Sequence, residues 1–406
     1  MAIILWVWFG ATVLSALIWL SRHLQIAKAR KLMPPLNSRM YAKDPGRLPS
    51  LSLLVAAKDE ESNIGPCLRS LLAQDYPDYE VIAIDDRSSD RTGAIVDELA
   101  AQNPGLRALH VRELRPGWFG KNNAMREGVE RAVGEWLCFT DADCVFESPR
   151  VLTVATRFAQ EKGADFLSVL PSHQASSFWE RVIQPACSGI LLIWFHPLSV
   201  NDPKRRTAYA NGAFMLMRRS CYAAIGGHEV VKSEINEDIH LAALAKQAGQ
   251  RLCVVSNEDL YSVRMYSSLA HMWSGWTRIF YGCFRTIRRL LLSLLVVTMV
   301  SLLPWLALAG GALIGGLHPH ASTAWPWLGG AGLAACLAQL SVMVRFYALS
   351  RLPPAYGLLY PLGAVIGFGA LINAIRRVSG RRSITWRGTT YQGGQVTSTG
   401  APPPPP

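Results

Sequence analysis

Two aspartates one residue apart, Asp141 and Asp143, close an apolar run in CFTDADCVF (138–146). Carboxylates that close together repel, so water, a neighbouring cation or a bound metal must compensate them. Alternation along a strand end would place both on the same side. Paired hard oxygen donors suit Mg²⁺ or Mn²⁺, which would bridge to phosphate oxygens. Two more polar clusters follow apolar runs, AAKDEESN (56–63) and IDDRSSDRT (84–92). Asp86 is either a solvated loop acid or an acceptor for ribose or base hydrogen bonds at a strand end. Asp90, just before the helix that Arg91 and Thr92 open, reads as an N-cap. Lys58 could fix phosphate or pair with Asp59 or Glu61. Glu237 and Asp238 follow Asn236 at a helix start, where acids complement the helix dipole or where Asp238 could accept a proton. Asn211–Gly212 precede an apolar strand, and Gly212 marks either a turn or a close backbone approach to a sugar.

These residues need strand ends to hold them. SLLVAA (52–57), YEVIAI (79–84) and EWLCFT (135–140) are short apolar runs of the kind buried on both faces of a parallel sheet. Helical stretches begin near Ser62, Thr92 and Asn122. The alternation predicts an α/β fold with a mostly parallel sheet and right-handed crossovers. Ligands of such sheets bind beyond the carboxyl ends of the strands, where all three clusters sit.

Half of the 406 residues are hydrophobic and 17% charged. Ile3–Leu20, Leu290–Leu317, Ala321–Val344 and Leu352–Ile375 carry no Asp, Glu, Lys or Arg, and each approaches or exceeds the ~18–20 residues that span a bilayer core. The chain therefore reads as a multi-pass membrane protein. Ile3–Leu20 lacks a basic n-region and precedes a basic tract, as a retained anchor does. The net charge of +12 is concentrated in residues 22–47, 278–289 and 376–387, which together hold +15 and leave −3 elsewhere. All three stretches flank apolar spans, so the charge reports topology and contact with anionic headgroups, not nucleic-acid binding. The eight cysteines form no C-x-x-C and no paired Cys/His spacing, which excludes a zinc or disulfide framework and fits reduced, buried thiols. No G-x-G-x-x-G follows the first strand, against dinucleotide chemistry.

The ordered set AAKDEESNIGPCL, IDDRSSDRT, GWFGKNNA, GEWLCFTDADC, NGAFMLMRRSCYAAIGG and EDIHLA resembles the inverting glycosyltransferases of family 2. The similarity covers roughly residues 50–280. It is closest to the membrane-anchored branch of ceramide glucosyltransferases and hopanoid- or carotenoid-associated bacterial enzymes. The resemblance implies a GT-A-type nucleotide-sugar domain, a UDP-linked donor, a lipid hydroxyl acceptor and a divalent cation, Mg²⁺ or Mn²⁺. It also implies roles: Glu60 and Asp86 hold the nucleoside, Lys121 contacts the donor, Asp143 coordinates the metal with Asp141 nearer the ribose, and Asp238 is the general base. Glu237, Asn211 and Gly212 fall on the acceptor side.

The organisation expected is an anchor (1–21), a basic linker (22–47), the GT-A domain (48–263), an interfacial amphipathic helix (264–289), a transmembrane module (290–375) and a basic tail with a disordered Pro-rich end (376–406). The alternative for 264–289 is an interior helix of the soluble domain. Processive polysaccharide synthases carry Q/R-x-x-R-W on this helix. HMWSGWTRIF (271–280) matches it only loosely, which counts against processivity and leaves Arg278 as a candidate diphosphate contact. The rival readings are a processive synthase, a polyprenyl-phosphate glycosyltransferase and a non-catalytic nucleotide-binding scaffold. RRSITWRGTTY (381–391) resembles a W-R/K-G-x-x-Y tail of hopanoid- and carotenoid-type members. With the catalytic domain on the cytoplasmic face of the inner membrane, three full C-terminal crossings would carry this basic tail outside. Leu352–Ile375, rich in Pro and Gly, is therefore expected to be a re-entrant or broken hairpin.

Overall fold

Alternate residues of the apolar runs enter two separate cores. Leu53, Val55, Val81 and Ala83 pack into one, and Leu54, Ile82 and Ile84 into the other. A strand covered on both faces cannot show polar alternation, hence the continuous apolar sequences. The structure is a computed structural model that describes residues 2–43, 46–266, 268–284, 286–317 and 322–378, with the strand backbones at 384–386, 389–392 and 395–399.

In chain order α1 (Ala2–Leu32) leads to β1 (Leu51–Ala57), α2 (Ile64–Leu72), β2 (Tyr79–Asp86), α3 (Thr92–Gln102), β3 (Leu106–Val111), α4 (Gly120–Arg131) and β4 (Trp136–Asp141). Next come β5 (Cys144–Phe146), α5 (Val151–Lys162), β6 (Phe166–Leu170), β7 (Ser172–His173), α6 (Phe178–Trp194), α7 (Pro197–Val200) and β8 (Met215–Arg218). Then follow α8 (Arg219–Ala224), α9 (Gly227–Val230), α10 (Glu237–Gln247), β9 (Leu252–Ser256) and β10 (Tyr261–Val263). The remainder forms α11 (Leu269–Phe284), α12 (Ile287–Val296), α13 (Leu303–Leu317), α14 (Ala324–Leu349), α15 (Tyr360–Val378), β11 (Ile384–Trp386), β12 (Thr389–Gln392) and β13 (Gln395–Thr399).

The main sheet has the order β3-β2-β1-β4-β8-β6-β9. Its β3, β2, β1 and β4 are parallel, β8 is antiparallel to β4 and β6, and β9 is parallel to β6. The expected mostly parallel α/β sheet is present. The chain divides into two compact units. The α/β unit comprises Met33–Gln174, Phe195–Met265 and Arg382–Pro406, and the helical unit comprises Met1–Leu32, Ala175–Trp194 and Tyr266–Arg381.

Several boundaries differ from expectation. Residues 22–32 continue α1 rather than forming a linker, because Lys, Arg, Leu and Ala favour helix and the first proline is Pro34. Residues 33–47 join the α/β unit: buried Leu36 donates its N–H to Ser256 O at 2.8 Å and accepts from Glu258 N at 2.7 Å. The 48–263 domain is interrupted, since α6 belongs to the helical unit. The helix within 264–289 is α11 alone, and Ile287 opens α12. It packs in the helical unit rather than inside the α/β unit, with Trp276, Phe280 and Phe284 buried and Trp273 exposed. Leu352–Ile375 is not a hairpin. Pro354–Leu359 form a single 3₁₀ segment that feeds the unbroken α15. The tail backbone pairs as an antiparallel β11–β12–β13 sheet, while residues 401–406 lie outside the described ones.

Among the described residues five helices are long and apolar enough to cross a membrane: Ile3–Leu32, Phe178–Val200, Ile287–Leu317, Ala324–Leu349 and Pro354–Val378. Their irregularities are satisfied internally, as an apolar environment demands. A π-helical segment at Val297–Leu302 turns carbonyls outward. Val300 O accepts from Ser15 Oγ at 3.0 Å and Trp19 Nε1 at 2.8 Å, and Ser301 O from Gln339 Nε2 at 3.1 Å. Pro185 inside α6 has no N–H for Arg181 O, and Tyr347 Oη donates there instead at 2.7 Å.

Candidate active site

The carboxyl ends of β1, β2 and β4 gather the acids foreseen from their spacing. Asp141 ends β4, and Lys121, in the first turn of α4, places Nζ 2.6 Å from its Oδ1. The same ammonium lies 2.7 Å from Glu237 Oε1, at the start of α10. Next to Glu237, Asp238 accepts from Gly212 N–H at 2.9 Å through Oδ2 and from its neighbour Ile239 N–H at 2.8 Å through Oδ1. One lysine therefore joins the D-x-D and E-D motifs. Gly212 makes the fit possible: a Cβ there would lie 3.0 Å from Lys121 Nζ and 3.6 Å from both Asp238 Oδ2 and Glu237 Oε1. The Gly212 backbone thus lies close to the side chains of Lys121, Glu237 and Asp238. Asn211 Oδ1 is used locally, accepting from Ala213 N–H at 3.0 Å.

Asp141 has its compensating cation, and Asp143 largely lacks one. Burial, then Asp141 and Glu60, push the Asp143 carboxyl up to about 8 against the weaker pull of Lys121. Burial and Glu237 likewise raise Asp238 to about 7, although Lys121 and two backbone N–H groups oppose them. Burial works against the Lys121 ammonium, but Asp141 and Glu237 outweigh it and hold it well above the ordinary lysine range. The excess negative charge and all-oxygen donors at Asp143 fit a hard divalent cation. Among the described residues no group of three or more His, Cys, Asp or Glu converges to enclose one, so further ligands would come from water or a bound phosphate.

At the other strand ends Glu60 Oε2 accepts from Asn63 Nδ2 at 2.7 Å, and its N–H meets Thr92 Oγ1 at 2.7 Å. Asp86 is buried and clasped by its neighbour Arg87, Nε to Oδ1 at 2.8 Å and Nη2 to Oδ2 at 3.0 Å. Lys58 donates to Arg87 O at 2.8 Å and lies 3.9 Å from Asp59. Asp90 accepts from Thr92 N–H at 2.9 Å, but the N-cap of α3 is Arg91, so Asp90 stands one residue before the cap position expected of it. Arg278 lies on α11 in the helical unit.

Sequence reasoning missed three further features. A cavity of about 110 Å³ opens beside Asp143, lined by Asn63, Pro66, Val145, Gln174, Ser262 and Arg264. Arg264 follows β10 closely, which only the folded path brings to β4. Arg87 was legible as the residue after the DD pair, but its clasp was not. His228 is buried near Lys121, its Nδ1 2.9 Å from Tyr222 Oη and its ring against Phe139. Burial and the lysine push it down to about 3, so it stays neutral.

Residues 52–226 match Glycosyl transferase family 2. The chain is 27% identical over 232 residues to 4,4'-diaponeurosporenoate glycosyltransferase of Staphylococcus aureus, across 56% of this chain and 60% of that relative's length. A solved mannosyltransferase from Pyrobaculum calidifontis, in complex with GDP-Man and Mn²⁺, shares the fold with a TM-score of 0.53 at 19% identity, over 91% of this chain and 97% of its own. The region that matches the family model contains the sheet whose strand ends hold Glu60, Asp86 and Asp141, and that fold is shared with the mannosyltransferase.

Proposed function

We propose that this family 2 domain transfers a sugar from a nucleotide-sugar donor, UDP-linked as its motifs suggest, to the hydroxyl of a membrane lipid with inversion at the anomeric carbon. The observation that carries the reading is Asp238, fixed by two backbone N–H groups beside the Lys121–Asp141 pair. In an inverting displacement the acceptor oxygen bonds to the anomeric carbon as the bond to the diphosphate oxygen breaks, and the acceptor proton must leave. A carboxylate drawn up to about 7 is suited to take that proton near neutral pH. Lys121 would face the charge developing on the leaving diphosphate. Glu60 and Asp86 would hold the nucleoside, and Glu237 would keep Lys121 in place. Asp143, with Asp141 beside it, would hold the divalent cation, whose chemistry when bound is to neutralise the diphosphate. The Pyrobaculum neighbour's GDP-Man and Mn²⁺ are consistent with a nucleotide sugar and a divalent ion.

The lipid acceptor is supported by the five membrane-length helices and by the carotenoid-derived name of the Staphylococcus relative. Basic residues at the end of α1 and the start of α12 favour a cytoplasmic α/β unit at the inner membrane.

Lipid mass spectrometry of a host expressing the wild type or Asp238→Asn, supplied with sterol-like, carotenoid and ceramide lipids, tests the reading. One added hexose-type unit on a hydroxyl lipid, with the wild type only, is the result expected. A carboxylate acceptor, as in the relative's diaponeurosporenoate, arrives ionised and needs no base. Transfer to such a lipid by both proteins would therefore remove Asp238 from the base role. Polymer, or a glycosylated polyprenyl phosphate, would replace the reading with a rival one.

A further inference from the structure

Helix α6 is long and apolar enough to cross a membrane, as part of Phe178–Val200, yet the fold forbids it. β6 precedes it and β8 follows it, and Phe166, Leu167 and Ser168 pair with Met217, Leu216 and Met215. A single crossing would put two hydrogen-bonded strands on opposite sides of the bilayer. Both ends of α6 must therefore lie on one side.

Helix α15 runs alongside α6 in the same direction. A Cβ at Gly363 would meet Val182 O at 2.4 Å and Ala186 Cβ at 2.8 Å, and one at Gly367 would meet Ile190 and Cys187 at 3.2 and 3.4 Å. One helical turn separates these contacts on each helix, so the two stay side by side through a small-x-x-x-small seam. The other flank of α15 meets α11 in the same way. Gly369 abuts the Trp273 ring, where a Cβ would lie at 2.6 Å, and Asn373 Nδ2 donates to Thr277 Oγ1 at 3.3 Å. Trp276 Nε1 donates to Gln184 Oε1 at 3.0 Å, joining α11 to α6. Phe178, Ile193, Trp273 and Val365 remain exposed on this layer.

We propose that α6, α15 and α11 form a non-crossing layer seated in a single leaflet, and that the chain crosses the bilayer three times, through Ile3–Leu32, Ile287–Leu317 and Ala324–Leu349. The partner of the layer is the lipid surface itself. Its charge agrees: exposed Lys204, Arg205 and Arg206 follow α6, and Arg376 and Arg377 close α15, where anionic headgroups attract them. Two crossings after α11 return the chain to its starting side, so the basic tail needs no hairpin to stay there. β11–β13 accordingly group with the α/β unit. The inference does not depend on the reaction proposed above.

Single cysteines in the full chain, labelled with an impermeant maleimide in sealed vesicles of known orientation, decide the topology. The eight native cysteines are all buried and give little background. Ser398→Cys and Gln102→Cys should label from one side and Thr323→Cys from the other. Labelling of Ser398→Cys together with Thr323→Cys would overturn the proposal. Protease protection of a C-terminal epitope on the otherwise unaltered chain reads the same question without a substitution. Spin labels at Phe178→Cys and Ile193→Cys should report equal bilayer depth. A difference approaching the length between them, roughly 22 Å at 1.5 Å per residue, would show that α6 stands across the membrane.

Discussion

Lys121 Nζ lies 2.7 Å from Glu237 Oε1, tying the helix that follows GWFG to the helix that carries Asp238. Because the same ammonium also sits 2.6 Å from Asp141, the D-x-D end and the base end of the site share one positive charge. Neither carboxylate can lose that charge without the other being affected. The lysine is therefore electrostatic as well as structural: it keeps Asp141 and Glu237 at close range in a partly buried site.

Lys121→Met should leave Asp141 and Glu237 facing each other without their cation. The expected loss in kcat/KM is about 10²-fold, the scale of removing one charge-stabilising donor. Thermal denaturation of Lys121→Met, Glu237→Gln and the double variant gives the coupling. It should be about 0.5–3 kcal/mol, as for contacting partners, and strictly additive losses would show that the pair does not act as a unit.

The Asp238 carboxyl, raised to about 7 by burial and by Glu237, predicts a specific pH profile for transfer to a hydroxyl. A base works only when ionised, and the ionised fraction grows with pH. kcat/KM should therefore rise tenfold per pH unit below about 7 and level off above it. Asp238→Asn should reduce the rate by roughly 10²–10⁴-fold and abolish that limb, while donor binding by calorimetry stays within a few-fold. A wild-type rate flat from pH 5 to 8 would remove Asp238 from the base role.

The contrast between α6 and the strand ends shows what the sequence made visible. β1, β2 and β4 are buried on both faces, so burial wrote itself into unbroken apolar runs, and the acids had to stand where those runs stop. α6 is comparably apolar but carries Glu180, Arg181, Gln184 and Pro185, which hide it from a search for uncharged spans. Each is compensated only in the folded state. Glu180 Oε2 accepts from Ser176 and Ser177 N–H at 3.1 and 2.7 Å, Arg181 donates to Ala175 O at 3.0 Å, and Gln184 accepts from Trp276. The clasp of Asp86 by Arg87 and the placement of Arg264 beside Asp143 likewise depend on tertiary paths. Lys121 was legible from its motif, but its bridge to Glu237 required the 115 residues between them to fold back.

Tyr347 tests that account of α6. Its hydroxyl supplies the hydrogen bond that Pro185 denies to Arg181 O, and the tyrosine is fully buried. Tyr347→Phe keeps the ring and removes only the donor, leaving a carbonyl unpaired in an apolar setting. The cost should be about 1–3 kcal/mol, the penalty for stranding one buried polar group. In detergent this should appear as a Tm lower by several degrees. Replacing Pro185 by alanine restores an N–H for Arg181 O, so Tyr347→Phe should cost much less in a Pro185→Ala background. Equal costs in the two backgrounds would mean that Tyr347 stabilises the helical unit by packing alone.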